Sequence, residues 1–404
     1  MTPETEIYFS PESMEPLLPA AGQRQLAELA CEILTASGAL SGQVHSPLVR
    51  EKIAALVREM NCYYSNLIEG HKTTPRDIER ALNHRFSSSP KIRDNQKLSV
   101  AHIEVESQLT ETLKTISPYS PDFLRWLHLA FYQGLPASLR VAETHGGRRF
   151  EIEPGAFRSY MVDVGGHTPP HFSVVPAFLD RYFRFYGSEK IPATSRLVAL
   201  AAAHHRLAWL HPFGDGNGRV ARLHTQALLI HHRLDGGGLW TLSRGLARSR
   251  QQYYDLLSNA DQRRANDLDG RGNLSDQALR DFCLFFLETM LDQIKFMGGL
   301  LDLPALRTRI ERYFQFDAVH LPRHRDELMR VVKVLADEGE ISRTRVLELT
   351  GRSSATVAAL IKQGLAEGFF TTPSPKGPLR IAFPEKILAA YFPRLFLDLP
   401  GGSA

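Results

Sequence analysis

The stretch HPFGDGNGRVAR, residues 211–222, limits the fold of this chain more than any other segment. Apolar, helix-patterned sequence flanks it at 194–210 and 219–234, yet Gly214, Gly216 and Gly218 interrupt it at alternate positions. Closely spaced glycines end a helix, because each adds backbone entropy that the helix must remove. The expectation is a helix that delivers His211 at its end, a tight loop, and a second helix that starts just after the glycines. Such a loop presents unpaired backbone N–H groups at a helix N-terminus, where the helix dipole favours anions. Arg219 and Arg222 fall in the first turn of the second helix, where positive charge is unfavourable unless an anion is present. Asp215 would repel a bare phosphate but suits a magnesium ion bridging two of them. His211 is the only group in the loop with a near-neutral pKa, so it is the candidate general base. Singly these residues read as a cap, a turn and surface cations; together they read as a nucleotide site.

The chain has 404 residues, enough for two or three domains, with 43% apolar and 23% charged residues and a formal net charge of +4. This is the balance of an ordinary globular protein, and it neither requires nor excludes a nucleic-acid partner. Cys31, Cys62 and Cys283 have no metal-ligand spacing and fit packed thiols in a reducing cytoplasm. The first twenty residues, acidic and broken by prolines, do not read as a signal peptide. The most apolar run, 197–210, contains His204, His205 and Arg206 and is too short and polar to span a bilayer, so no membrane partner is expected.

Helical grammar dominates the rest. A helix is expected near 22–37, and another over 46–70, with Ser46 as cap, Pro47 at the first position and Gly70 as stop. Thr74 and Pro75 start a further helix. Helices follow near 94–116, 121–133, 176–186, 248–259 and 275–300. Residues 144–176 are rich in Gly, Pro, Val and Phe and read as short strands with a hairpin. Residues 304–322 read as a linker. Residues 323–392 read as three helices followed by strand, loop and strand, a winged helix-turn-helix, with a tail at 393–404.

The motif matches the Fic signature HxFx[DE]GNGRxxR at every specified position, so the chain resembles the Fic family, whose members transfer AMP from ATP to protein hydroxyls. The resemblance implies a mostly α fold: a Fic helical core with a short β-hairpin flap at 45–303, behind an N-terminal arm at 1–44, plus the C-terminal winged helix. It implies that His211 deprotonates a target Ser, Thr or Tyr, that Phe213 anchors the loop, and that Asp215 holds Mg²⁺ on the α- and β-phosphates of ATP. Gly216, Asn217 and Gly218 would form the anion nest, with Gly214 beside them, Arg219 at the β-phosphate and Arg222 at the γ-phosphate. Doc-like kinases of the superfamily carry Lys where this chain has Gly218, which favours nucleotidyl over phosphoryl transfer.

SNLIEG, residues 65–70, resembles the family's inhibitory motif [ST]xxxE[GN]. Ser65 and Glu69 share one helix face, and the resemblance implies that Glu69 pairs with Arg222 and blocks the γ-phosphate. Glu69 would also be placed to position a water for removing AMP. Val162, Asp163, Val164 and Gly165 fall where the family has its flap, and Tyr253 and Tyr254 where it has an adenine-side tyrosine pair. The chain departs from the family in two places: Asp261 stands where relatives often have Asn, and Pro169 and Pro170 precede Phe172 rather than follow it. The expected activity is autoinhibited AMP transfer to an unnamed target or to the chain itself, in a protein compatible with homo-oligomers. The alternative is a DNA-binding or protein-docking regulator acting through 323–392. Its third helix offers Lys362 against Glu367, and Lys376 and Arg380 add little, so a phosphate-reading stripe is missing and docking is the favoured use. An inert Fic scaffold is disfavoured because every chemical position is filled.

Overall fold

The computed structural model describes residues 7–143, 149–162, 164, 167–321 and 323–396. In chain order the helices are α1 (Gln23–Gln43), α2 (Pro47–Ile68), α3 (Pro75–Leu82), α4 (Pro90–Thr112), α5 (Pro121–Tyr132), α6 (Val175–Tyr186), α7 (Arg196–Leu210), α8 (Asn217–His231), α9 (Ser243–Arg248), α10 (Arg250–Ala260), α11 (Asp276–Leu301), α12 (Leu303–Arg312), α13 (Arg325–Glu338), α14 (Arg343–Thr350), α15 (Ser354–Glu367) and α16 (Glu385–Tyr391). The strands are β1 (Val141–Glu143), β2 (Arg149–Glu151), β3 (Glu340–Ile341), β4 (Phe370–Thr371) and β5 (Leu379–Ile381). The fold is mostly α, as the periodicity predicts.

The chain divides into two compact units. The first holds residues 1–36, 61–235 and 241–293, and its centre is α7. Residues 197–207, Trp209 and Leu210 of that helix are all buried, the pattern of a helix surrounded on every side. Helices α6 and α8 pack on α7, and α5 packs on α8. Local chemistry sets the boundaries of these helices. Ser120 caps α5 by accepting from the Phe123 N–H at 3.2 Å, and Thr74 caps α3 through the Asp77 N–H at 3.1 Å. Strands β1 and β2 pair antiparallel with Val141 opposite Glu151, so the pairing begins before 144, where the Gly- and Pro-rich region is expected to start, and does not include 162–165.

The second unit holds residues 37–60, 236–240 and 294–404. In it α13, α14 and α15 surround an apolar centre of Leu328, Val332, Leu335, Val346, Leu360 and Phe370. Its sheet runs β3-β5-β4, with Ile341 opposite Leu379 and Phe370 opposite Ile381. Gly364 of α15 lets the Phe370 ring approach so closely that a Cβ there would lie 2.2 Å from it.

Three expectations need correction. The stretch 304–322 is not simply a linker: it carries α12 and a π-helical turn at Tyr313–Asp317. Pro304 falls in the first turn, where no N–H is needed, and Asp302 caps the helix through the Ala305 N–H at 3.0 Å. Helix α1 runs past 37 to Gln43, because a Cβ at Gly38 or Gly42 would meet nothing and isolated glycines weaken a helix without ending it. Helix α8 begins at Asn217 rather than 219, so Arg222 lies in its second turn. Strand β3 had not been anticipated: two residues between helices carry no period to read.

Candidate active site

The turn between α7 and α8 is built by residues that occupy unusual backbone conformations. His211 closes α7 in the left-handed region, φ 49°, and its N–H still bonds the Leu207 carbonyl at 3.2 Å. Gly216 is also left-handed, φ 76°, and a Cβ there would stand 2.5 Å from the Tyr132 hydroxyl, so only glycine fits. Phe213 is fully buried and stacks on the His128 ring at 4.1 Å between centroids. The Asn217 amide closes the loop from both sides, accepting from the Phe213 N–H and donating to its carbonyl, each at 2.9 Å.

His211 is presented as a neutral base. Its Nδ1 lies 3.3 Å from the Ala208 carbonyl, which can only accept, so Nδ1 carries the proton and Nε2 keeps its lone pair. Burial pushes the pKa down to about 4, and the bond to Ala208 only partly opposes this. Arg158 holds the backbone in place. Its Nε donates to the His211 carbonyl at 2.8 Å, its backbone N–H to the Pro212 carbonyl at 2.9 Å, and its guanidinium also to the Pro170 carbonyl. Burial lowers the Arg158 pKa to about 10. Nothing in the local sequence signals Arg158 as a loop residue, because the His211 and Pro212 carbonyls it holds lie about fifty residues further along the chain.

The charged groups divide between paired and unpaired. Arg222 is bonded through Nε to the Ser65 hydroxyl at 2.9 Å, and through one terminal nitrogen to the Ser65 carbonyl at 3.2 Å and the Glu69 carboxylate at 2.6 Å. Burial pushes the Glu69 carboxyl up, but the Arg222 and Arg219 guanidiniums outweigh it, and its pKa lies below the usual range. A Cβ on Gly218 would lie 2.4 Å from Glu69 Oε1, so the carboxylate occupies the space directly over the first turn of α8. Arg219 is buried, its Nε has no hydrogen-bond partner, and its guanidinium stands 5.4 Å from the Phe131 centroid. A buried donor without an acceptor is costly, and an anionic ligand oxygen would relieve it. Asp215 is exposed and accepts from the Tyr132 hydroxyl at 3.2 Å.

A cavity of about 510 Å³ reaches Glu69 and Arg222 of these groups, whereas Asp215 and Arg219 are not among its lining residues. One end is formed by Glu69, Asn217, Gly218 and Arg222, with His211 and Val164 on the wall; Trp209, Leu257 and Asp261 are among the residues that line the rest. Tyr253 and Tyr254 both reach it, but differently. The Tyr253 hydroxyl is tied to buried His204 Nε2 at 2.8 Å, whereas Tyr254 is partly exposed and donates to the Ile68 carbonyl at 3.1 Å. Val164 pairs with His167 in an isolated antiparallel bridge and Val162 is buried; Asp163 and Gly165 lie outside the described residues. Tyr132, His128 and Arg158 complete the surroundings of the loop and were not read from sequence.

The loop thus combines an anion-ready helix terminus with a neutral histidine on a helical scaffold. Residues 118–229 match the family model described as Fic/DOC family. A Drosophila erecta protein named protein adenylyltransferase Fic is 33% identical over 111 residues, which are 26% of this chain and 22% of that protein. The chain thus spans less than a quarter of the length of the curated relatives it matches. Among solved structures, a Fic family protein from Desulfovibrio desulfuricans G20 aligns with TM-score 0.52 at 16% identity, covering 93% of this chain and 99% of that one. Fic-1 (residues 134–508) of C. elegans aligns with TM-score 0.50 at 18% identity, over 67% of this chain and 71% of that one. At these identities the structural likeness concerns the fold.

Proposed function

We propose that the chain is an autoinhibited protein adenylyltransferase that moves AMP from ATP to a Ser, Thr or Tyr hydroxyl of a target protein or of itself. The observation that carries this reading is the Glu69 carboxylate lying over the α8 N-terminus and bonded to Arg222, beside a neutral His211. Nε2 of His211 takes the hydroxyl proton as the hydroxyl oxygen bonds the α-phosphorus. The bond from that phosphorus to the bridging oxygen breaks, and pyrophosphate leaves. The α8 N-terminus and Arg219, whose Nε has no hydrogen-bond partner, receive the phosphate charge. Arg222 reaches the γ-phosphate only when Glu69 gives it up. Asp215, exposed and accepting one hydrogen bond, fits a magnesium ion that arrives with the nucleotide, since that ion needs one or two carboxylates plus phosphate oxygens. Such an ion would neutralise the departing pyrophosphate.

Removal of AMP belongs to the same reading, with Glu69 holding a water. Residues 323–392 are read as a winged helix-turn-helix used for docking a protein, because α15 offers Lys362 as its lone cation. Cys31, Cys62 and Cys283 are thiols rather than disulfide partners, in keeping with a reducing cytoplasmic setting. Among the described residues no helix is long and apolar enough to cross a membrane.

The test is incorporation of labelled AMP from ATP with Mg²⁺ by wild type, Glu69→Gly and Glu69→Gly/His211→Ala. Glu69→Gly is expected to label strongly, and the added His211→Ala to remove on the order of a hundredfold or more of that activity. Equal labelling by the two variants would remove His211 from the mechanism. Absence of labelling in all three would remove adenylyl transfer.

A further inference from the structure

Glu69 directly follows the last residue of α2, so whatever fixes the end of that helix also fixes the carboxylate. A helix leaves its last carbonyls without partners inside the helix. In α2 the chain's own turn takes two of them. Gly70, left-handed at φ 82°, donates its N–H to the Leu67 carbonyl at 3.0 Å, and the His71 N–H donates to the Asn66 carbonyl at 2.9 Å. The Ile68 carbonyl goes instead to side chains of another helix. It accepts from Arg250 Nε at 2.8 Å and from the Tyr254 hydroxyl at 3.1 Å.

Arg250 is the first residue of α10 and Tyr254 stands one turn further on, so both lie on one face of that helix. The guanidinium is 5.3 Å from the Tyr254 ring centroid, a contact that restrains it beside the carbonyl. Ile68 is fully buried whereas Arg250 is exposed, so the anchor is a side chain reaching in from the rim to a fixed backbone point. A negative charge at a helix C-terminus opposes the dipole, and cations there relieve it. Arg222 and Arg250 both stand at the end of α2 that carries Glu69. They differ in what can claim them. Arg222 lines the cavity, so a phosphate there can draw it from Ser65 and Glu69. Arg250 is not among the lining residues and holds a backbone carbonyl, so its bond does not compete with a phosphate in the cavity.

We propose that Arg250 is a positioning residue of the inhibitory segment: by anchoring the Ile68 carbonyl it keeps the Glu69 carboxylate over the first turn of α8, independently of Arg222. The proposal rests on Glu69 being inhibitory. The Ile68 carbonyl and the Glu69 nitrogen share one planar peptide group, so holding the oxygen orients the start of Glu69. Two arginines then hold the segment, one that ATP can claim and one that it does not. Without Arg250, Ile68 keeps the Tyr254 hydroxyl, a neutral and weaker donor. The segment would then depend on Arg222, at the point where the γ-phosphate competes.

Two readouts test this: hydrogen exchange of peptides covering residues 61–71, and incorporation of labelled AMP from ATP with Mg²⁺. Arg250→Met keeps most of the side-chain bulk and removes the donor. Exchange over 65–71 is expected to rise about threefold to tenfold, the weight of one exposed charge-assisted hydrogen bond, with 196–210 unchanged. Incorporation should rise by a similar factor. Arg250→Lys, which keeps a cationic donor, should recover part of both effects. Adding Arg250→Met to Glu69→Gly should leave incorporation within about twofold of Glu69→Gly, since no carboxylate remains to be positioned. Wild-type exchange in Arg250→Met, a fall in its incorporation, or an equal gain from it with and without Glu69 would overturn the assignment. Faster exchange with no labelling by any variant, Glu69→Gly included, would leave the anchor standing and remove the transferase reading. Strong labelling by Glu69→Gly with wild-type labelling by Arg250→Met would do the reverse.

Discussion

The two units solve the packing problem with different materials. The second is closed by aliphatic and aromatic side chains, and among its described residues the buried polar groups are Ser37, Thr350 and Glu327, the last paired with Arg352. The first buries His102, His128, His204, His205 and His224 together with Arg158, Arg206, Arg219, Arg222 and Arg244. Buried polar groups contribute little net stability even when satisfied and cost several kcal/mol when not. A core built this way is weaker per unit volume than an apolar one, but it holds side chains in single orientations. The difference shows where the molecule gives up stability to fix geometry, and in the first unit that geometry surrounds the 211–222 loop.

Acid should break the comparison most visibly. Burial lowers the pKa of His204 to about 3 and of His128 and His224 to about 4, against about 6.5 in an unfolded chain. Between those values the unfolded chain holds more protons than the folded one, so stability rises with pH and is lost as pH falls from 6.5 toward 4. Each group contributes on the order of 3 kcal/mol over that window. Hydrogen exchange resolved by peptide should show residues 196–231 losing protection by about pH 4.5 while residues 325–381, whose neighbouring His320 is exposed, keep theirs. Loss of both segments at one pH would erase the distinction.

The converse perturbation is Leu335→Ala. Leu335 is fully buried in the apolar core of the second unit, and the cavity should cost about 2–5 kcal/mol. AMP incorporation by residues of the first unit should be unchanged at temperatures where the protein stays folded. A parallel fall in incorporation and stability would mean that the two cores do not act separately.

A smaller effect is expected at the inhibitory contact. The Glu69–Arg222 pair, at about 1.5–3 kcal/mol for a charge-assisted bond, corresponds to about a tenfold to hundredfold bias. Glu69→Gly should raise incorporation by at least about tenfold, and adding Arg222→Ala should lose that gain because the γ-phosphate loses its partner. Wild-type activity equal to that of Glu69→Gly would sink the inhibitory role. Ser65→Ala removes the hydroxyl that accepts from Arg222 Nε, and should raise incorporation only a few-fold, about 1 kcal/mol of bias. An effect as large as that of Glu69→Gly would show that Ser65, and not the carboxylate, fixes the arginine.

What could be read from the sequence follows the range of each interaction. The 211–222 loop was legible because its glycines, caps and charges lie within a dozen residues, and Ser65 with Glu69 because four residues make one helix face. The helices were legible through their period, and their ends less so, since Gly38 and Gly42 look like stops but merely weaken α1. Arg158, Tyr132 and His128 were not legible. Each acts on the loop across tens of residues, and a buried arginine bonding to carbonyls has the same sequence signature as a surface one. The buried neighbours His205 and Arg206 were hidden for the same reason: His205 bonds the Leu257 carbonyl of α10 and Arg206 the Pro16 carbonyl of the N-terminal arm. Strand β3 was too short to carry alternation.

The Asn217 side chain, bonded twice to Phe213, makes residues 213–217 a closed ring with a hydrogen-bonded clasp. The shape of the loop is settled while the chain folds, before any anion arrives. An anion would then meet a socket whose N–H groups already point one way, so ordering entropy is largely absent from the encounter. Opening the clasp by Asn217→Ala would shift that ordering into the binding step. The loop would then behave as a flexible strap that closes on its ligand, slower to engage and selective through closure rather than through shape.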